Sequence, residues 1–562
     1  MFSHFLQRNM KAQIWRRAAA ALALPFALVA CDSTNDPELL PPTTVTVAAT
    51  SPTAVTVTFT EMDVAERYII QRAQGATGGT FSQIAEVTTN TYQDTGLQPN
   101  TAYRYRVASV SGTQQSLFGG ETTVTTQLPG TATINANITS NRTLYADTTY
   151  TISGYIRVSN GATLTVQPGT KIFGDYNVIA SSLFIERGAK LVADGTADKP
   201  IVFTSSRPVG QRQPGDWGGI VLLGNGIINR GSPVILEGTN NFPQPINYAG
   251  GTNNADNSGS LKFVRIEFAG HEVATNAELN SLTLAAVGSG TTIENVQVLA
   301  GSDDSFEWFG GAVDAKRLVS YEAGDDHFDA SEGYQGRVQF AIAFQSRQLT
   351  PRPNSGSVAS DPQGIENDGC EGANCLNGQN SEPLTLPVFA NVTLIGAGTA
   401  YTTSGGDTGM MIRRGSGGYY VNSIVARYNR AAISLRDVST QTRLNNGDLQ
   451  ISNIVLAENG QAFLPQTGTT VQFSVDATAN GFTTATGSAA SLFNALPTDP
   501  NAASQFDWTP APGSAARTGG LTTFTGKLAT RAGTFVTGTA YRGAADPAGP
   551  KWWEGWTNYA DN

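Results

Sequence analysis

The phrase Gly161-Ala-Thr-Leu-Thr-Val166, followed by Pro168-Gly-Thr-Lys-Ile172, returns as Gly188-Ala-Lys-Leu-Val192, followed by Lys199-Pro-Ile-Val-Phe203. These are runs of three to five strand-forming residues punctuated by Gly, Asn, Asp and Pro, with no 3.6-residue period between them. Short strands at short intervals build either a sandwich or a parallel solenoid. Self-similarity at the length of one coil favours the solenoid, in which successive coils stack about 4.8 Å apart.

The stretch Gly301–Gly333, GSDDSFEWFGGAVDAKRLVSYEAGDDHFDASEG, concentrates charge in a chain where only 14 % of residues are charged. Two acidic pairs, Asp303-Asp304 and Asp325-Asp326, each follow a short apolar run, and 22 residues separate Asp303 from Asp325. That spacing suits one coil and predicts that the pairs lie one above the other. Carboxylates that close require a cation between them, protonation, or neutralisation by basic side chains. Three strands ending in Ala-Gly, at Gly270, Gly301 and Gly324, offer an alternative alignment that shifts the second step by one residue.

Three chemistries fit such a ladder. Asp303, Asp304, Asp325 and Asp326 are candidate ligands of Ca²⁺, which takes several hard oxygens in irregular geometry. One carboxyl as acid and another as base or nucleophile would cleave glycosides. In a lyase, calcium would neutralise a uronate while Arg413 or Lys316 removes the proton. Asp303, Asp304, Asp325, Asp326, His327 and Arg413 are therefore the candidate catalytic residues. Trp217 and Trp308 are candidate sugar platforms, and the bland reading of the aspartates is a polar edge capping turns.

The formal net charge of −10 argues against nucleic acid, which needs a basic footprint. Of the three cysteines, Cys31 closes Leu28-Val-Ala-Cys31 after the basic Lys11, Arg16 and Arg17 and an apolar run, the layout of an export signal starting at Met1 or Met10. Those four residues resemble the lipobox of bacterial lipoproteins, which implies lipidation of Cys31 and a place in the bacterial cell envelope, at the outer membrane or cell surface. Nothing after Cys31 reads as a spanning helix, so the membrane is met through the lipid alone. Cys370 and Cys375, in a Gly/Asn-rich loop of an exported protein, are expected to form a local disulfide. With His271 and His327 the only histidines after Cys31, zinc is discounted.

Residues 1–31 are thus read as a leader and 32–44 as a flexible tether. Residues 45–128 alternate as half-buried strands. Leu97-Gln-Pro-Asn-Thr-Ala-Tyr103-Arg-Tyr105 resembles the corner of fibronectin type III domains, where a tyrosine hydroxyl closes the turn, and Tyr68-Ile-Ile-Gln-Arg72 resembles that family's third strand. Phe59 stands where the family usually has tryptophan. Residues 131–562 form the solenoid, with a polar loop extruded between Arg230 and Ser260. The aromatic cluster Lys551–Tyr559 is expected to cap its open end.

Ser302-Asp303-Asp304 resembles the Asp-Asp pair of β-helix polygalacturonases, but their Gly-His-Gly and Arg-x-Lys are missing, Gly270-His271-Glu272 being the nearest phrase. GDWGGI, GSDDSFEWFGG, AGDDHFD and EGWTN resemble phrases of exported bacterial β-helix lipoproteins of the pectate-lyase-like superfamily. The resemblance implies an all-β chain: a fibronectin type III sandwich followed by a right-handed parallel β-helix. The expected role is a monomeric surface protein that binds polysaccharide or another surface component. A polysaccharide-active lyase or glycoside hydrolase is the alternative.

Overall fold

The computed structural model describes residues 38–240, 242, 244–274, 277–357, 359, 362–400, 407–466, 470–497 and 506–560. Cys31, the leader and the first part of the tether lie outside the described residues. The chain divides into two compact units, Met1–Gln127 and Leu128–Asn562.

In the first unit, strands Val45–Ser51, Ala54–Phe59 and Thr91–Thr95 make one antiparallel sheet, and Ser82–Val87, Arg67–Gln74 and Ala102–Ser111 with two short partners make the other. Alternation decides which side chains meet: Val55, Val57 and Phe59 face Tyr68, Ile70, Tyr105 and Val107 in a buried core. Phe59, where the family usually has tryptophan, packs in the core on Tyr68 with ring centroids 4.7 Å apart. The corner is closed as expected, the Gln98 N–H donating to the Tyr103 hydroxyl at 2.9 Å. This is the fibronectin type III sandwich.

The second unit is a parallel β-helix. One of its sheets has ten strands, labelled here β1 (Tyr155–Val158), β2 (Ser182–Ile185), β3 (Gly219–Leu223), β4 (Leu282–Ala285), β5 (Phe306–Phe309), β6 (Phe328–Ser331), β7 (Gln363–Asp368), β8 (Thr408–Arg413), β9 (Ala431–Leu435) and β10 (Phe463–Pro465). Each pairs in parallel with the next. A second sheet of seventeen strands completes the coils. Leu164 sits on Leu191, and Ile293 on Ala315, which sits on Val338, so like side chains stack through one continuous apolar core.

Where the longer strands of the second sheet turn a corner, the chain places one residue per coil in the left-handed region. These include Asn295 (φ 55°), Asn391 (56°), Asn422 (55°) and Asn453 (58°). Asparagine tolerates that conformation better than other side chains carrying a Cβ.

The register selects between the two sequence alignments. Val264 pairs with Val296 and Val296 with Leu318, steps of 32 and 22 residues (296 − 264, 318 − 296). Ala269-Gly270, Ala300-Gly301 and Ala323-Gly324 are separated by 31 and 23, so these dipeptides slip by one at each step. The aspartate alignment is the structural one.

Two expectations are corrected. The loop between β3 and Gly259 is not simply extruded: Val234, Leu236, Phe242, Ile246 and Tyr248 fold back onto Phe184, Val221 and Leu223 and cover the outer face of the ten-stranded sheet. The cluster Lys551–Tyr559 does not cap the open end. Trp553, Trp556 and Tyr559, with Phe506 and Trp508, clad the outer face of the long strands at Phe268, Leu299, Tyr321 and Phe344. Strand Arg337–Phe344 explains why: Ala341 and Ala343 face the core, while Ile342 and Phe344 face outward and need cover. Val471, Phe473 and Val475 pack instead against the core near its last coils.

Candidate metal centre

The pleat of the ten-stranded sheet builds the site. In β5, Phe306 and Trp308 point into the core, so Glu307 points out. In β6, Phe328 and Ala330 point in and Asp329 out; in β7, Ile365 points in and Glu366 out. Register places Glu307 on Asp329 and Asp329 on Glu366, a column of outward carboxylates one coil apart. In the turn before these strands runs a second column. The Asp304 N–H donates to Asn280 Oδ1 at 3.2 Å, the Asp326 N–H to Asp304 Oδ1 at 2.9 Å, and the Gln363 N–H to Asp326 Oδ1. Asp304 and Asp326 therefore do cap turns, each with one oxygen, and keep the other. Asp303 and Asp325 flank this column, half-buried.

Glu278 from a hairpin and Glu237 from the folded-back loop close the opposite wall. The result is a cavity of about 440 Å³ lined by nine carboxylates: Glu237, Glu278, Asp303, Asp304, Glu307, Asp325, Asp326, Asp329 and Glu366. Burial, and then repulsion by neighbouring carboxylates, pushes Asp303, Asp304, Asp326 and Glu307 well above the usual carboxylate range. Burial and Asp368 push Glu366 up to about 8, and burial with Glu278 pushes Glu237 up to about 8.

Three overlapping triads bring one oxygen from each member within 4.8 Å of the other two: Asp303–Asp304–Asp325, Asp304–Glu307–Asp329 and Asp326–Asp329–Glu366. Oxygen-only donors at that spacing suit a hard divalent cation of the calcium type rather than zinc. Asp329 Oδ1 is buried with no hydrogen-bond partner among the described residues, which fits a group awaiting a cation.

The structure brings Asp303, Asp304, Asp325 and Asp326 together and separates the other sequence candidates from them. The His327 ring is buried, with Nδ1 2.6 Å from Ser320 Oγ, and burial lowers its pKa to about 3; it is a neutral structural imidazole. Arg413 stands at the far end of the column, its guanidinium bound to Glu366 and, at 2.7 Å, to Asp368. Burial works against its charge, but Glu366 and Asp368 outweigh burial and hold it protonated, which removes it as a base. Lys316 lies in the other sheet, 4.4 Å over the Phe535 ring. Trp217 and Trp308 are both 0 % exposed and in the core, the Trp217 indole donating to the Glu267 carbonyl at 2.9 Å. Neither can serve as a sugar platform. Cys370 and Cys375 form the expected disulfide, S–S 2.04 Å.

Residues 136–502 match the pectate-lyase-like beta helix domain, and residues 40–125 the fibronectin type III domain. The chain belongs to the pectate-lyase-like β-helix family. Among similar solved structures are three fibronectin-type domains that match the sandwich. FN3tt is 23 % identical over 16 % of this chain and 95 % of its own, with a TM-score of 0.15. An Fn3-like protein from Clostridium thermocellum is 28 % identical over 15 % of this chain and 90 % of its own, with a TM-score of 0.14. The FN5 domain of Drosophila Lar is 21 % identical over 16 % and 98 %, with a TM-score of 0.15. No curated protein matches the chain.

Proposed function

We propose that this chain is an exported, lipid-anchored protein of the bacterial cell envelope whose β-helix binds extracellular polysaccharide through divalent cations, calcium foremost, held by the stacked carboxylates. The fibronectin type III domain is the spacer. The observation that carries the reading is the cavity of nine carboxylates with three cation-sized triads. Once cations neutralise part of that charge, the remaining coordination positions suit the carboxylates and hydroxyls of an acidic glycan.

The test is binding of acidic and neutral glycans with calcium and with chelator, scoring reducing ends and the absorbance of unsaturated products alongside affinity. Calcium-dependent binding without cleavage, weakened in Asp303→Ala and Asp325→Ala proteins, supports the proposal. Binding indifferent to chelator and to both substitutions refutes it. A second reading, glycoside hydrolysis, draws on Glu366, whose pKa burial and Asp368 raise to about 8 against the opposing pull of the Arg413 guanidinium, the direction a general acid requires. Reducing ends released by the parent protein and lost in Glu366→Gln would establish it.

A further inference from the structure

A second cavity, of about 690 Å³, is built from coils beyond the acidic one. Its walls come from three segments: the helix Val438–Asn445, the strand Leu449–Ser452, and residues 472–474 with Asn480. The character of the lining differs from that of the acidic cavity. Five residues with side-chain amides line it, Gln441, Asn445, Gln450, Gln472 and Asn480, and among the described residues no charged side chain does. Leu444 and the half-buried Phe473 supply apolar surface between them.

The amides are held in place. Gln441 Nε2 donates to Asn445 Oδ1 at 2.9 Å, while its Oε1 accepts the Gln472 N–H at 2.6 Å, tying the helix to the neighbouring segment. Asn480 Nδ2 donates to the Ser474 carbonyl at 2.8 Å, and Gln450 Nε2 to Ser452 Oγ at 3.0 Å. Gln450 Oε1 accepts no hydrogen bond among the described residues. The Phe473 ring is braced by Phe463 and Phe482 at 5.8 and 5.9 Å.

Each ligand class meets a different balance here. A charged ligand would lose its hydration and find no counter-charge, and an apolar ligand would leave the Gln450 Oε1 acceptor without a partner. A sugar hydroxyl both donates and accepts, and so does a side-chain amide, so two neighbouring hydroxyls match one amide. The C–H face of a pyranose ring matches Phe473 and Leu444.

We infer that this groove is a saccharide-binding site for a neutral oligosaccharide, separate from the acidic cavity and independent of cations. It shares with the proposed function only the class of polymer. The experiment is isothermal titration calorimetry of the full chain in EDTA with maltohexaose, cellohexaose, xylohexaose and mannohexaose. At least one is expected to bind. Gln450→Ala is expected to weaken it about tenfold, the loss of one well-placed hydrogen bond, and Ser474→Trp, which fills the groove from an exposed position, to abolish it. Asp304→Asn is expected to leave it unchanged, and EDTA keeps the result apart from cation-dependent binding. Melting temperatures of both groove variants verify folding. Failure of all four hexaoses to bind overturns the inference, as does parental affinity in folded Gln450→Ala and Ser474→Trp proteins.

Discussion

Without cations the acidic cavity should make the β-helix less stable as pH rises, opposite to a protein stabilised by paired carboxylates. Glu366 shows the size of the effect. Its pKa is raised from 4.5 to about 8, so the folded state holds a proton that the unfolded state releases above pH 4.5. That contribution is fully present below pH 4.5 and is lost as pH climbs through about 8. A shift of about 3.5 units at ~1.4 kcal/mol each is about 5 kcal/mol. The unit Leu128–Asn562 has an unfolding entropy on the order of 0.9 kcal/mol/K, so the loss corresponds to about 5 °C in Tm. The assay is thermal unfolding of parent and Glu366→Gln proteins from pH 5 to pH 8.5 in EDTA and in calcium. It is followed by tryptophan fluorescence, which reports the β-helix because no tryptophan lies between residues 38 and 127. Because pH 5 already lies above 4.5, in EDTA the parent should lose about 4 °C more than the variant across that range. Calcium at about a hundred times its Kd should restore about 2.7 kcal/mol at the alkaline end. Identical slopes for the two proteins, with no response to calcium, would refute the reasoning.

Asp304→Asn keeps an acceptor for the Asp326 N–H and removes a buried charge, so in EDTA at pH 8 its Tm should exceed the parent's; Asp304→Ala, which strands that N–H, should fall below Asp304→Asn by about 1–3 kcal/mol in denaturant titrations. Trp217→Ala should cost about 3–5 kcal/mol by the same titration while leaving the affinity of any bound glycan unchanged, because the indole is core and not platform. The His327 ring should show no titration by NMR between pH 5 and 8. Its lowered pKa means that stability is present above pH 6.5 and is lost as pH falls toward about 3.

The coil stack was legible because the aspartate offset equals the coil length at that point, which the register from Val296 to Leu318 confirms. The outward column Glu307–Asp329–Glu366 was equally written in the sequence, in FEWF, FDAS and IEND, where an acid alternates with core residues. The pleat that turns Trp308 into the core turns its neighbour Glu307 outward, so the candidate aromatic and the site acid lie on opposite faces of one strand. Glu237 and Glu278 carry no such signal, since a loop and a hairpin deliver them and their place depends on tertiary packing. His327 follows Asp326 directly in sequence, yet the next residue at a turn points elsewhere, and this one turns toward Ser320. Lys551–Tyr559 reads in sequence as an end cap as readily as a flank cover, because both the end and the flank of a solenoid are apolar. The second apolar face of Arg337–Phe344 was the clue that the flank needed cover.

The cladding has a consequence for how the molecule is made. Arg265 binds the Trp556 carbonyl and Gln297 the Asn558 main chain, contacts that span 291 and 261 residues. Coils can zip onto one another while the nascent chain is still emerging, but the middle coils keep a naked greasy flank until residues 552–559 arrive. A polypeptide halted before that point would wind correctly and still be sticky, so its fate would rest on whatever chaperone shields it.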